Sequence, residues 1–122
     1  MKTQTMVLFY VNDCAKSQAL YQALLARPAA QHSTDFAMFA LDGGSFVALK
    51  SRQSALPETL PAAGAAELVL LVDDISDVNR SFEHWRELGL RITQQPQAMP
   101  FGYTFVAEDF DGHLLRVCCP AK

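Results

Sequence analysis

The sequence predicts an α+β fold: two tandem βαβββ modules forming a cup-shaped mixed sheet, with one helix behind each half. Three observations predict it. A run of β-branched and aromatic residues ending in acidic helix caps occurs twice, at Met6–Val11 before Asn12-Asp13 and at Glu67–Val72 before Asp73-Asp74. Each run is followed by an amphipathic helical stripe, and each half closes with a hairpin around an Asp/Gly turn. The 122 residues read as one domain, with repeat halves at about residues 1–50 and 66–120 and a connection at 51–65.

In the first half, Leu20, Tyr21, Leu24 and Leu25 recur at helical spacing until Pro28 stops them, which gives a helix over Cys14–Ala26. Phe36–Leu41 and Phe46–Lys50 are strand-like runs separated by Asp42-Gly43-Gly44, residues that accept the positive φ of a tight hairpin. A further short strand is expected at Ala29–Ser33, although Gln31 and His32 give it little apolar alternation.

Residues 51–65 contain two prolines, a glycine and no apolar period, the marks of a connection. Beyond it, Val78, Phe82, Trp85 and Leu88 form a second helical stripe that ends at Gly89. A strand near Leu90–Thr93 precedes a hairpin of Tyr103–Ala107 and His113–Cys119 around the Asp109–Gly112 turn. At a constant spacing of sixty-one residues Val11 falls on Val72, Tyr21 on Phe82, Leu24 on Trp85 and Met6 on Glu67.

Composition excludes several function classes. Half the residues are hydrophobic and 19% are charged, as in an ordinary globular domain. A formal net charge of -3 with no concentration of lysine and arginine gives a phosphate backbone nothing to bind, so nucleic acid is not an expected partner. The apolar stretch after Thr5 is too short for a signal-peptide core or a membrane span, so a cytoplasmic protein without a membrane partner is expected. Cys14, Cys118 and Cys119 are odd in number, and neighbours on a strand point to opposite faces. Buried thiols are expected rather than disulfides or a shared metal.

Three segments carry a family resemblance over nearly the whole chain: FYVNDCAKSQALYQALL opening the first half, LVLLVDDISDV opening the second, and PFGYTFVAEDFDGHLLRV near the end. Together they resemble the vicinal oxygen chelate superfamily, which includes glyoxalase I, bleomycin-resistance proteins, fosfomycin-resistance enzymes and extradiol dioxygenases. The last segment is similar to the family's D-P-D-G-N-like turn but departs from it at Phe110 and His113.

The resemblance implies a divalent-metal site with His, Gln or Glu ligands on the first and last strands of each half. Counted from the helix caps and hairpin turns, those positions fall on Met6, Ala48, Glu67 and Arg116. A thioether, a methyl group, one carboxylate and a guanidinium do not make a catalytic metal centre, since arginine has no lone pair to offer. A register error of one residue would substitute Leu49 or Val117, which does not rescue coordination. His32, His84 and His113 share no spacing and are expected as surface side chains; no nucleophilic triad is evident. No metal, no cofactor and no catalytic residue are therefore expected.

With Met6 turned to the cavity that the resemblance implies, alternation sends Leu8 and Tyr10 the same way, together with Phe46, Ala48 and Lys50. In the second half Glu67, Val69 and Leu71 join Leu114, Arg116 and Cys118, bringing Glu67 and Arg116 close together. Phe101, Tyr103 and Phe105 alternate as an aromatic wall beside a Pro100-Phe101-Gly102 turn similar to one near the pocket of drug-binding members. Trp85 belongs to the core stripe. The expected ligand-binding set is thus Met6, Tyr10, Phe46, Glu67, Phe101, Tyr103, Phe105 and Arg116.

By resemblance to metal-free members, the expected function is metal-independent binding of a small planar aromatic molecule, as in antibiotic sequestration, by a homodimer. The alternative is a glyoxalase-type lyase, dioxygenase or thiol transferase with an atypical metal site, or with Glu67 as a lone general base.

Overall fold

The computed structural model describes residues 4–54 and 66–122. The chain divides into two compact units, one ending at residue 64 and the other beginning at residue 65.

The first unit runs β1 (Thr5–Val11), α1 (Cys14–Leu24), β2 (Gln31–His32), β3 (Phe36–Ala40) and β4 (Ser45–Ser51), followed by a single 3-10 turn at Arg52–Ser54. Its sheet has the order β1-β4-β3-β2, with β1 and β4 parallel and the other pairs antiparallel. The second unit runs β5 (Glu67–Leu71), α2 (Ile75–Glu87), β6 (Arg91–Met99), β7 (Gly102–Glu108) and β8 (Leu114–Pro120), in the order β5-β8-β7-β6. Its β5–β8 pair is again the parallel one. The fold is α+β, and the described residues form two helices and two four-stranded mixed sheets, with the βαβββ order repeated.

Local chemistry explains the elements. Asp13 caps α1, its Oδ1 accepting from the Lys16 amide at 3.1 Å. Leu20, Tyr21 and Leu24 are buried against the sheet, and the Tyr21 ring lies 6.4 Å from the rings of both Phe9 and Phe39. The helix stops before the expected Ala26 because that residue takes a left-handed φ of 55°. In α2 the buried Val78, Phe82 and Trp85 form the expected stripe, and Gly89 ends it at φ 90°. Phe105 of β7 meets Phe82 and Trp85 edge-on at 5.6 and 5.3 Å, a cluster in which each buried ring contributes about 1.5–3 kcal/mol by leaving water.

Two strands differ from the sequence reading by more than two residues in length. β2 is only Gln31–His32, although Ala30 N donates to Met38 O and Ser33 N to Phe36 O, extending its contact with β3. The strand expected near Leu90–Thr93 continues to Met99, through Pro96. Pro96 is accommodated because β6 is an edge strand whose register shifts between Ile92 and Gln94 and again between Gln94 and Gln97. Of the expected connection, Ser51 closes β4 and Arg52–Ser54 form the 3-10 turn; the remainder lies outside the described residues.

Strand alternation then decides which side chains each helix covers. Phe9, Val11, Phe39, Val47 and Leu49 are buried in the first unit, as are Phe105, Leu115 and Val117 in the second. The intervening residues lie on the opposite sheet faces, and among them Met6, Leu8, Val69 and Leu71 stay exposed. All three cysteines are free and buried. Among the described residues, no helix is long and apolar enough to cross a membrane.

Candidate functional site

The parallel register of β5 and β8 pairs Val69 with Arg116 and Leu71 with Cys118. Since neighbouring strands carry paired side chains on one face, Glu67, Val69 and Leu71 stand beside Leu114, Arg116 and Cys118, on the face away from α2. Here the second unit has a pocket of about 440 Å³, lined by Glu67, Val69, Leu71, Phe101, Arg116, Cys118 and Pro120. Its wall is apolar apart from one ion pair, the composition of a small-molecule site.

Arg116 organises the polar part. Its Nε donates to Glu67 Oε1 at 2.8 Å, and its Nη1 donates to Gln94 Oε1 at 3.3 Å and to Thr104 Oγ1 at 3.2 Å. Thr104 is buried and donates its own hydroxyl proton to Val117 O at 2.7 Å, which leaves its lone pairs for the guanidinium. The Arg116 Cζ sits 5.3 Å from the centroid of the Phe101 ring, within cation–π range. The Arg116 side chain is 17% exposed and that of Glu67 32%, so the pair is partly withdrawn from water and screened less than a surface pair.

Phe101 reaches the pocket by leaving the strand. It belongs to the turn before β7, and Gly102 follows with φ 155°, where an added Cβ would meet Cys119 O at 2.4 Å. Only glycine fits so close to β8 in that conformation. This breaks the alternation that would have aligned Phe101 with Tyr103 and Phe105, and the expected aromatic wall is corrected. Phe105 is buried under α2. Tyr103 donates its hydroxyl to Asn79 Oδ1 at 3.1 Å and lines a separate pocket of about 330 Å³ with Ile75, Met99 and Cys119. Phe101 alone, half exposed, stands at the Arg116 pocket.

In the first unit β1 and β4 pair Met6 with Phe46, Leu8 with Ala48 and Tyr10 with Lys50, all on the face away from α1. Met6 and Phe46 are therefore neighbours, and Tyr10 lies at the far end of the same row. Lys50 donates from Nζ to Asp35 Oδ2 at 3.2 Å. Of the eight residues expected to bind ligand, the structure groups Glu67, Phe101 and Arg116 in one pocket, places Met6, Tyr10 and Phe46 on the sheet of the first unit, and turns Tyr103 and Phe105 to the helix side of the second.

Gln94 and Thr104, which hold the guanidinium, were not foreseen. Thr104 is hidden by the expectation that Tyr103 and Phe105 face the pocket, since alternation then sends Thr104 to the helix side. Gln94 is hidden because its position depends on the register shifts of β6.

The four positions implied for metal ligands do not fit a metal ion. Glu67 alone carries a suitable donor, and its carboxylate is already engaged by Arg116. Among the described residues there is no group of three or more His, Cys, Asp or Glu able to hold one. His32 is on β2 and His84 on α2. His113 Nδ1 shares a 2.8 Å hydrogen bond with Oδ2 of the buried Asp109, whose Oδ1 accepts from the amides of Asp111 and His113. That carboxylate pins the β7–β8 turn.

Comparison with known proteins agrees with this architecture. The family profile described as the glyoxalase/bleomycin resistance protein/dioxygenase superfamily matches residues 3–117. The chain belongs to this superfamily. Among similar superfamily-fold structures is a protein of Agrobacterium tumefaciens solved by solution NMR, 34% identical, with a TM-score of 0.87 and 100% of both chains covered. A glyoxalase-related enzyme from Fulvimarina pelagi shares the fold at a TM-score of 0.86 and 15% identity, over 98% of this chain and 88% of that one. The phenazine antibiotic resistance protein EhpR of Enterobacter agglomerans is 24% identical over 119 residues, 95% of this chain and 91% of that protein.

Proposed function

We propose that this superfamily member binds a small planar aromatic molecule without a metal ion, at the pocket of Glu67, Phe101 and Arg116, and so acts by sequestration, as a protein conferring drug resistance would. The observation that carries this reading is Arg116. A guanidinium stands where coordination chemistry would need a lone pair, paired with the one carboxylate nearby and covered by an aromatic ring at 5.3 Å. A pocket of about 440 Å³ with a half-exposed ring on its wall suits a flat ligand that stacks on Phe101.

Similarity to a protein named for phenazine antibiotic resistance supports the same class of ligand. Stoichiometric binding needs neither nucleophile nor acid–base pair, which agrees with a site whose charged groups satisfy each other. The same reading has the chain act as a homodimer, which light scattering behind size exclusion checks directly.

The test is a titration of the purified protein with phenazine, followed by tryptophan and tyrosine fluorescence, once with EDTA and once with added zinc, nickel or manganese. Saturable quenching that is equal in both arms supports the proposal. A response only with metal would refute metal-independent binding and direct the next assay to lyase or dioxygenase turnover.

A further inference from the structure

The ion pair in the pocket wall is incompletely used. Arg116 spends Nε on Glu67 and Nη1 on Gln94 and Thr104, while Nη2 donates to none of the described residues. Glu67 accepts through Oε1 only, and Oε2 receives no hydrogen bond from them. No buried side-chain nitrogen or oxygen among the described residues lacks a partner, so the unused Nη2 is open to solvent. Both residues line the same pocket. Its polar wall therefore offers two N–H donors and one carboxylate acceptor, next to the ring of Phe101.

Charge decides which substituent fits. The guanidinium is already balanced by Glu67 at 2.8 Å. A carboxylate on the ligand would gain Nη2 but would face Glu67 Oε2, an acceptor with nothing to donate, at like-charge repulsion. An amine would gain Glu67 and face the guanidinium. A group that accepts and donates at adjacent atoms and carries no charge satisfies both.

Resting on the proposed aromatic-binding function, we infer that the pocket selects planar aromatic compounds bearing an uncharged acceptor–donor substituent of the primary carboxamide type. The carbonyl accepts from Arg116 Nη2, the amide N–H donates to Glu67 Oε2, and the ring system stacks on Phe101. Each end of the substituent meets a group that would otherwise be left to water.

The test compares unsubstituted phenazine, phenazine-2-carboxamide and phenazine-2-carboxylate at neutral pH by calorimetry on the full chain. The carboxamide is expected to bind about tenfold tighter than phenazine, the return on satisfying two hydrogen-bonding groups, and at least about tenfold tighter than the carboxylate. In E67Q the gap between carboxamide and carboxylate is expected to narrow, because the repelling charge is gone while the shape is kept. Equal affinity for all three, or tightest binding of the carboxylate, would overturn this selectivity and leave aromatic binding standing. Binding of none of them would overturn both.

Discussion

Arg116 and Glu67 form an ion pair across the parallel β5–β8 ladder, Nε to Oε1 at 2.8 Å, in the wall of an otherwise apolar pocket. Arg116→Met would remove both the charge and the support that Gln94 and Thr104 give it. Because the pair is partly buried, the cost should lie between that of a surface pair and a buried one, about 1–2 kcal/mol in a urea melt. Phenazine binding should fall as well, since the cation that holds the face of Phe101 is lost. Unchanged affinity in the Arg116→Met variant would take Arg116 out of the site.

Phe101 and Phe105 are four residues apart yet serve different faces. Phe101→Ala should weaken phenazine binding about tenfold while leaving stability within about 0.5 kcal/mol, because the ring is half exposed. Phe105→Leu should do the reverse, costing about 1 kcal/mol from the cluster with Phe82 and Trp85 with affinity unchanged. Tyr103→Phe should alter neither by much, since it gives up only an exposed hydrogen bond to Asn79. Loss of phenazine binding in the Tyr103 or Phe105 variants would restore the single aromatic wall.

These contrasts mark how far the sequence could be read. Strand register was legible because the acidic caps at Asp13 and Asp74 and the glycine turns at Gly43 and Gly112 bound each strand. Counting from them puts Met6 and Ala48 on one face of their sheet and Glu67 beside Arg116 on one face of the other, and the ladders carry both sets on the face away from the helix. Alternation does not carry through a turn: Phe101 precedes the strand, and Gly102 opens it with a backbone that resets the phase, so Phe101 does not share a face with Tyr103 and Phe105. The β6 bulges hid Gln94 in the same way, because an inserted residue leaves no mark in hydrophobic periodicity.

Gly102 is the residue on which the placement of Phe101 rests. At φ 155° a side chain is strained, and an alanine Cβ would stand 2.4 Å from Cys119 O and 2.9 Å from Pro120 Cα, backbone atoms of a paired strand that cannot swing aside. Gly102→Ala should therefore cost about 3 kcal/mol, or shift β7 against β8 to avoid doing so. Either way Phe101 moves, so phenazine affinity should fall together with the melting temperature. A variant as stable as the parent protein and with the same affinity would show that the turn tolerates the methyl group and that the close approach does not fix Phe101.

The first unit carries its own electrostatic signature at Asp35, in the bend between β2 and β3. The hydrogen bond from Lys50 Nζ at 3.2 Å, followed by that from Ser33 Oγ at 3.0 Å, lowers the Asp35 carboxyl below its ordinary value of 3.8. A depressed folded value means that the unfolded chain binds the proton first on acidification, so the contribution is present above 3.8 and is lost as pH falls through the lower, folded value. Asp35→Asn should remove it. In urea melts across pH the parent should exceed the variant by a constant margin from about pH 5 to 7, where both states are ionised, and the margin should close below about pH 4. Other carboxylates titrate in both proteins, so the difference between the two curves isolates this group. A margin that does not narrow as the pH falls below 3.8 would mean that the substituted amide disturbs the bend by its shape, and that the Lys50 hydrogen bond adds nothing through charge.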